Sequence, residues 1–411
     1  MEKLEDGYFA LLSDSNFVRY WASVLTADLG YGLFELAFTW LAITVTHSPA
    51  ITGLVLFVEF STYSLTALVG PAIDSSGDKR KFIITIFPVQ AAIGVVVAFL
   101  IAYHQIGVTA ILFIAFIMAL LWDFPWLAQS AILPLILKRE RLLRANALMQ
   151  AFGGGSTILL TAMAGIVIAF IGVQGVAVIY AFTFLISAAL MRTVKVPKLG
   201  DAKLSLSHIM HSLSEGWHFV MSGTRRELKE LFFVSGAQGF FSIAPFLLIT
   251  ITSFTYFHGN VREYGILNAL LLAGGFLGSI VYGKINPTGS LGRSVLLSTA
   301  IEGGLIALSP LVLSSLPLTD MLWFTVGIFD PIFYNGYNSY IQATVENTYV
   351  ARVKGLAYLL RGVGRGAGNV ALGFLILFAG FTFGAEFFGL MLLIIPVALL
   401  LTNASIARMG Y

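Results

Sequence analysis

Long apolar runs alternate with short polar connections along the whole chain. Each run has about 20 residues or more, the length of helix that crosses the hydrocarbon core of a bilayer. The apolar residues are continuous within a run rather than alternating, which argues against transmembrane β-strands. We therefore predict twelve membrane-spanning helices, called span 1 to span 12, at 17–45, 51–73, 82–103, 108–137, 145–170, 173–193, 230–255, 262–284, 293–313, 318–339, 355–380 and 383–403.

The composition agrees with this pattern. Of the 411 residues, 58% are hydrophobic and only 11% are charged, whereas soluble domains have roughly 25% charged residues. The chain contains no cysteine, which excludes disulfides and thiolate metal sites. The predicted fold class is therefore an all-α integral membrane protein, multi-pass in the cell membrane.

Lysine and arginine are concentrated in the connections that follow even-numbered spans, whereas the connections on the other side hold Arg262. The positive-inside rule then places both termini in the cytoplasm and supports an even number of spans. The basic residues after even-numbered spans are Lys79, Arg80, Lys81, Lys138, Arg139, Arg141, Arg144, Lys195, Lys198, Lys203, Arg225, Arg226, Lys229, Lys284, Arg293, Arg352 and Lys354.

One long polar connection, residues 194–229, divides the chain into halves of six spans, 1–193 and 230–411. Asp123-Phe124-Pro125 in span 4 matches Asp330-Pro331 in span 10, which indicates an internal repeat. Apolar residues recur in the connection at helical spacing and predict an amphipathic helix at the cytoplasmic interface, with a partner-binding helix as the alternative. They are Leu206, Ile209, Met210, Leu213, Trp217 and Val220.

The connection between spans 2 and 3 carries the most specific motif. It reads Gly70-Pro-Ala-Ile-Asp74-Ser-Ser-Gly77-Asp78-Lys79-Arg80-Lys81. This pattern resembles the Gly-x-x-x-Asp-(Arg/Lys)-x-Gly-Arg-(Arg/Lys) signature of the major facilitator superfamily, although Ser75 replaces the usual basic residue. Thr46-His47-Ser48-Pro49 and Ala145-Asn146-Ala147-Leu148 are similar to the exporter group that includes macrolide and enterobactin efflux proteins.

The resemblance implies two pseudo-symmetric six-helix bundles. In that architecture spans 1, 4, 7 and 10 line a central cavity, spans 2, 5, 8 and 11 flank it, and the others support it. We interpret the motif as a conformational latch in which Asp74 lies near the positive N-terminal end of span 11. The Lys79–Lys81 cluster is expected at the lipid surface. The predicted latch residues are Gly70, Asp74, Gly77, Lys79, Arg80, Arg361 and Arg365.

Acidic residues inside the spans are candidates for function, because a charge in hydrocarbon costs about 2.5–3.5 kcal/mol or more. By span, the acids lining the implied cavity rank first, Glu59 ranks next, and Glu302 and Glu386 rank last. A structural role, by hydrogen bonding or pairing with an arginine, is the alternative for any single acid. The residues predicted to bind substrate or protons are Asp28, Glu35, Glu59, Asp123, Asp330, Tyr31, Tyr63, Trp126, Tyr334 and Tyr337.

Acids beside aromatic residues suit an amphiphilic cation, because the rings contact its apolar body and a carboxylate binds its charge. A carboxylate in a low-dielectric cavity can also exchange a proton for substrate near neutral pH. We therefore predict a secondary active transporter and not an enzyme. It is expected to export amphiphilic small molecules or drugs, cationic ones included, by proton-coupled alternating access.

Two alternatives stay open: a divalent-cation carrier that uses the cavity carboxylates, and a non-transporting sensor or lipid-handling protein of the same fold. The expected partners are a small-molecule substrate, protons as the coupling ion and the lipid bilayer. We expect a monomer, with no nucleic-acid partner, no cofactor and no metal site.

Overall fold

The computed structural model describes residues 8–62, 73, 76–197, 206–222, 226–285 and 290–409, and every regular element in these ranges is helical. A π-helical turn, Thr252–Tyr256, follows α9, and 3-10 turns lie at Ser309–Val312 and Ser405–Arg408. The α-helices are α1 Tyr8–Ser13, α2 Ser15–Thr46, α3 Pro49–Thr62, α4 Arg80–Ala102, α5 Val108–Ile136, α6 Arg139–Thr193, α7 Leu206–Ser222, α8 Arg226–Phe241, α9 Ala244–Ile251, α10 Val261–Ile285, α11 Leu291–Leu308, α12 Leu316–Thr344, α13 Asn347–Ala379 and α14 Phe381–Leu401.

Within the described ranges, ten helices are long and apolar enough to cross a membrane, and α3 is a shorter apolar helix. Span 2 begins with α3 and continues into residues 63–72, which lie outside the described residues. Spans 5 and 6 both fall in α6, where Gly172 takes a φ of 68° and a ψ of 173°. Glycine adopts positive φ readily, and the break lies between the two predicted spans. The all-α membrane fold is confirmed, whereas the total of twelve spans stays a prediction.

Two compact units make up the chain: Met1–Leu41 with Leu65–Leu206, and Ala42–Ser64 with Ser207–Tyr411. The helix α3 therefore belongs to the second unit, although the predicted halves place its residues in the first. It lies along α13, where a methyl group on Gly53 would come 2.4 Å from the Asn369 carbonyl oxygen. Small residues permit this approach because they have little or no side chain between the two backbones. Such close packing stabilises helix pairs in lipid, where burial of apolar surface does not drive association.

A hydrogen-bonded aromatic core holds α4, α5 and α6 together in the first unit. The Tyr180 hydroxyl donates to Gln90 Oε1 at 2.6 Å, and Gln90 Nε2 donates to the Met118 carbonyl at 3.0 Å. The Tyr180 ring lies 4.5 Å from the Phe34 ring of α2 and 4.5 Å from the Phe184 ring, measured between centroids. The buried amide of Gln90 is thus paired on both sides, as buried polar groups require.

The amphipathic helix predicted in the long connection is present as α7, and it packs within the second unit. Its Glu215 forms an ion pair of 2.8 Å with Arg352 of α13. The Phe219 ring stacks on Tyr349 with centroids 4.5 Å apart, and Trp217 remains 47% exposed. One face of α7 is therefore covered by α13 and its neighbours.

The helices α11 and α14 also pack closely at a glycine, and a substitution there tests this kind of contact. A Cβ on Gly303 would lie 2.5 Å from the Leu393 nitrogen and 2.6 Å from the Gly389 carbonyl oxygen, whereas a Cβ on Gly304 meets open space. We expect Gly303→Ala to destabilise the fold by about 1–3 kcal/mol, because the two helices must separate. Gly304→Ala is the matched control and should be neutral or stabilising by up to about 1 kcal/mol. Thermal unfolding in detergent measures both; equal midpoints would contradict the packing.

Candidate functional site

An acid–aromatic cluster forms where α2 and α5 meet in the first unit. The Tyr31 ring of α2 stacks on the Trp122 ring of α5, with centroids 4.0 Å apart and an interplanar angle of 12°. Asp123 follows Trp122 and is only 2% exposed, and Asp28 precedes Tyr31 by about one turn of helix. We define the acid–aromatic cluster as Asp28, Tyr31, Glu35, Trp122 and Asp123.

Hydrogen bonds hold α2 in place beside this cluster. The Tyr20 hydroxyl donates to the Gln129 carbonyl of α5 at 2.8 Å, and the Ser23 hydroxyl donates to the Ser187 carbonyl of α6 at 2.8 Å. Asp28 interacts electrostatically with Tyr20, and both Asp28 and Glu35 are half-buried. Two half-buried acids thus lie on α2, which is hydrogen-bonded to α5 and α6 beside the aromatic stack.

A second cluster surrounds Arg361 of α13 in the second unit. Arg361 is only 6% exposed, and its Nη2 donates to Gln238 Oε1 of α8 at 3.0 Å. Its guanidinium carbon lies 4.9 Å from the Tyr334 ring centroid and 5.6 Å from that of Phe333, both on α12. A cation over aromatic rings is stabilised by their negative faces, and more strongly when water is excluded.

The same face of α13 continues with Arg365 and Asn369, at successive intervals of four residues. The Arg365 guanidinium carbon lies 5.9 Å from the Phe60 ring centroid of α3. Asn369 is fully buried, and neither atom of its side-chain amide has a hydrogen-bond partner in the described part of the chain. Residues at this spacing share one face of a helix, so the face presents two cations and an amide.

Acids on α11 and α12 balance these cations. Glu302 of α11 has no exposed surface, and it interacts electrostatically with Asp330, Arg365 and Arg361. We define the arginine cluster as Gln238, Glu302, Asp330, Tyr334, Arg361 and Arg365. Its two formal positive charges and two formal negative charges come from three different helices.

The predicted site residues are distributed over both units. Asp28, Tyr31 and Glu35 lie on α2. Glu59 lies on α3. Asp123 lies on α5, as does Trp126, whose side chain is outside the described residues. The α12 helix carries Asp330, Tyr334 and Tyr337, and α13 carries Arg361 and Arg365. Tyr63, Gly70 and Asp74 are outside the described residues, so the predicted contact of Asp74 with the start of span 11 stays a prediction.

In the motif segment before α4, Lys79 is buried and Arg80 is half-buried, whereas all of Lys79–Lys81 was expected at the lipid surface. Lys79 was expected at the lipid surface, but it is only 6% exposed, because its Nζ donates to the Ile73 carbonyl at 2.9 Å. Arg80 donates to both carboxylate oxygens of Asp78 at 3.1 Å and to the Val194 carbonyl at 2.6 Å. Gly77 directly precedes Asp78. Arg80, at the start of α4, therefore ties this segment to the end of α6.

The sequence ranking missed the position of Glu302 in the arginine cluster and did not include Gln238 or Asn369. The available signal was the four-residue spacing of Arg361, Arg365 and Asn369 within an apolar span. Among the described residues, no group of three or more histidines or acids is placed to hold a metal ion.

Comparison with known proteins gives relatives over most of the chain. Residues 20–369 match the Major Facilitator Superfamily. The chain is 23% identical over 349 residues to macrolide efflux protein A of Streptococcus pyogenes, covering 82% of this chain and 83% of that protein. It is 24% identical over 314 residues to macrolide efflux protein A of Enterococcus faecalis, covering 74% and 94%.

Solved transporter structures resemble the fold at low sequence identity. A POT family transporter in complex with 5-aminolevulinic acid superposes with a TM-score of 0.73 at 13% identity, covering 98% of this chain and 99% of that one. The nucleoside transporter NupG gives a TM-score of 0.71 at 13% identity, covering 95% and 99%. Identities this low establish the fold alone.

A double-mutant cycle tests the stack in the acid–aromatic cluster. We expect Tyr31→Ala and Trp122→Ala to be coupled by about 0.5–1.5 kcal/mol, because either change removes the same ring contact. Tyr31→Phe is the control, since it keeps the ring and should keep the coupling to Trp122. Thermal unfolding in detergent supplies the four stabilities. Additive effects of the two alanine changes would show that the rings do not stabilise each other.

Proposed function

Because the chain belongs to the Major Facilitator Superfamily, and is thus a multi-pass membrane transporter, we propose that it exports amphiphilic small molecules or drugs, cationic ones included. Proton antiport drives the export through alternating access. The relatives over most of its length are macrolide efflux proteins, which favours export over uptake.

The acid–aromatic cluster carries this proposal. The half-buried Tyr31 ring, held by the buried Trp122 ring, offers apolar surface to the body of a ligand, and the neighbouring carboxylates offer negative charge to a cationic group. Asp123 is nearly inaccessible beside Trp122, whereas Asp28 is partly accessible on α2. A ligand cation and a proton therefore compete for the same carboxylates.

In the proposed cycle, a deprotonated carboxylate among Asp28, Glu35 and Asp123 binds the cation from the cytoplasmic side. Protonation from the outer side neutralises that carboxylate and releases the substrate. Loss of the proton to the cytoplasm restores affinity. A carboxylate that is alternately charged and neutral thereby links substrate movement to the proton gradient.

The second unit contributes further residues to the proposal. Glu59 on α3, with Asp330, Tyr334 and Tyr337 on α12, presents the same combination of acids and aromatic rings. The latch proposal also stands, and the loop geometry supports it through Arg80, which fixes the loop to the end of α6. Because of this hydrogen bond, the segment before α4 is expected to move together with α4 and α6.

Transport by purified protein in liposomes tests the function. We expect wild-type protein to move a cationic dye and a macrolide in response to a pH gradient. The variants Asp28→Asn, Glu35→Gln and Asp123→Asn keep side-chain size and remove the charge. At least one of them should reduce gradient-driven flux by about tenfold or more, because a positioned proton carrier is lost. Glu386→Gln on α14 is the control and should behave as wild type.

The other outcomes separate the alternatives. Flux that ignores the pH gradient would contradict proton coupling. Flux of a divalent cation without flux of dye or macrolide would identify a cation carrier. Absence of flux for dye, macrolide and divalent cation would favour the sensor or lipid-handling protein.

A further inference from the structure

Glu302 is the most deeply buried acid of the arginine cluster. It has no exposed surface, and neither of its carboxylate oxygens has a hydrogen-bond partner in the described part of the chain. An ionised carboxylate in that position carries a large free-energy penalty, because nothing replaces the hydrogen bonds of water. A protonated carboxyl group avoids most of this penalty.

The charges around Glu302 come from separate helices. Asp330 of α12, Arg361 of α13 and Arg365 of α13 all interact electrostatically with Glu302, the first with a like charge and the other two with the opposite charge. The α14 helix packs against α11 and carries one acid, Glu386, and the terminal 3-10 turn carries Arg408. Neither of these is among the groups that interact electrostatically with Glu302 in the described chain. The state of Glu302 thus depends on how near the two arginines lie.

The position of Arg365 depends in turn on α3. Its guanidinium lies over the Phe60 ring, and Arg365 forms no ion pair of 4.0 Å or less among the described residues. Near Phe60, a Cβ on Gly366 would lie 2.8 Å from the Phe57 ring, and at the other end of α3 a Cβ on Gly373 would lie 2.6 Å from the Pro49 carbonyl oxygen. Separation of α3 from α13 at Phe60 therefore removes the aromatic cover of Arg365.

We propose that Glu302 is a proton-binding site of the second unit, loaded when α3 lies on α13 and unloaded when the two separate. On unloading, the Oε–H bond of Glu302 breaks, the electron pair stays on the carboxylate, and the proton passes to water. Arg365, released from Phe60, then compensates the new negative charge. This inference rests on the proposed proton coupling and adds a proton site outside the acid–aromatic cluster.

Transport assays separate this site from substrate binding. Dye exchange at equal pH needs no net proton movement, whereas gradient-driven accumulation does. We expect Glu302→Gln, which stays neutral, to keep exchange within about twofold of wild type and to lose accumulation by about tenfold or more. Glu302→Asp should recover part of the accumulation, and Glu386→Gln should match wild type. Wild-type accumulation by Glu302→Gln would overturn the proposal.

Infrared spectroscopy tests the same site without transport. In detergent, wild-type protein should show the carbonyl stretch of a protonated carboxyl group that Glu302→Gln lacks and Glu386→Gln keeps. If Glu302→Gln does not fold, Glu302→Asp is used in its place. Its carbonyl band should then lie at a different frequency from the wild-type band, because the protonated group is an aspartic acid. An unchanged band in these variants would overturn the proposal. Absence of gradient-driven flux by wild-type protein with this band present would instead count against the proposed function.

The cysteine-free chain also allows the link to α3 to be tested. In Phe57→Cys/Gly366→Cys, the first change removes the ring that a Cβ at 366 would meet, and oxidation of the two cysteines is used to join α3 to α13. We expect the disulfide-locked protein to keep the protonated-carboxyl band to a higher pH than the reduced protein. The same pH response before and after reduction would show that α3 does not control Glu302.

Discussion

Compensation of charge in an environment without water is the constraint on which this structure depends. Hydrocarbon offers no hydrogen bonds, so each buried ionisable group needs a partner, a ring face or a proton. Arg361 has the Gln238 amide and the Tyr334 ring. Glu302 has only charges at longer range, and that difference makes the arginine cluster sensitive to the position of α13.

The helices could be predicted from the sequence because an apolar run of about 20 residues is a local property. The break at Gly172 was equally local. The position of α3 on α13 was not, since it depends on small residues such as Gly53 and Gly366 that are far apart in sequence. The grouping of Glu302 with Arg361 and Arg365 depends on helix packing in the same way. Lys79 was misplaced because its partner is a backbone carbonyl, which leaves no sign in the sequence.

The two clusters suit two different tasks in the proposed cycle. The acid–aromatic cluster combines partly accessible acids with a ring stack, which fits a ligand that has both charge and apolar surface. In the arginine cluster, Glu302 and Arg361 are buried, which fits a proton better than a large molecule. Close glycine contacts between α3 and α13 allow the second cluster to respond to helix movement, because packed helices shift between discrete arrangements.

Competition between proton and substrate is the central claim, and proton release on binding measures it most directly. A cationic dye is added to purified wild-type protein in weakly buffered detergent solution, and a pH indicator records the protons released. The account predicts release of about one proton for each dye molecule bound. Dye binding without any change in bound protons would contradict it.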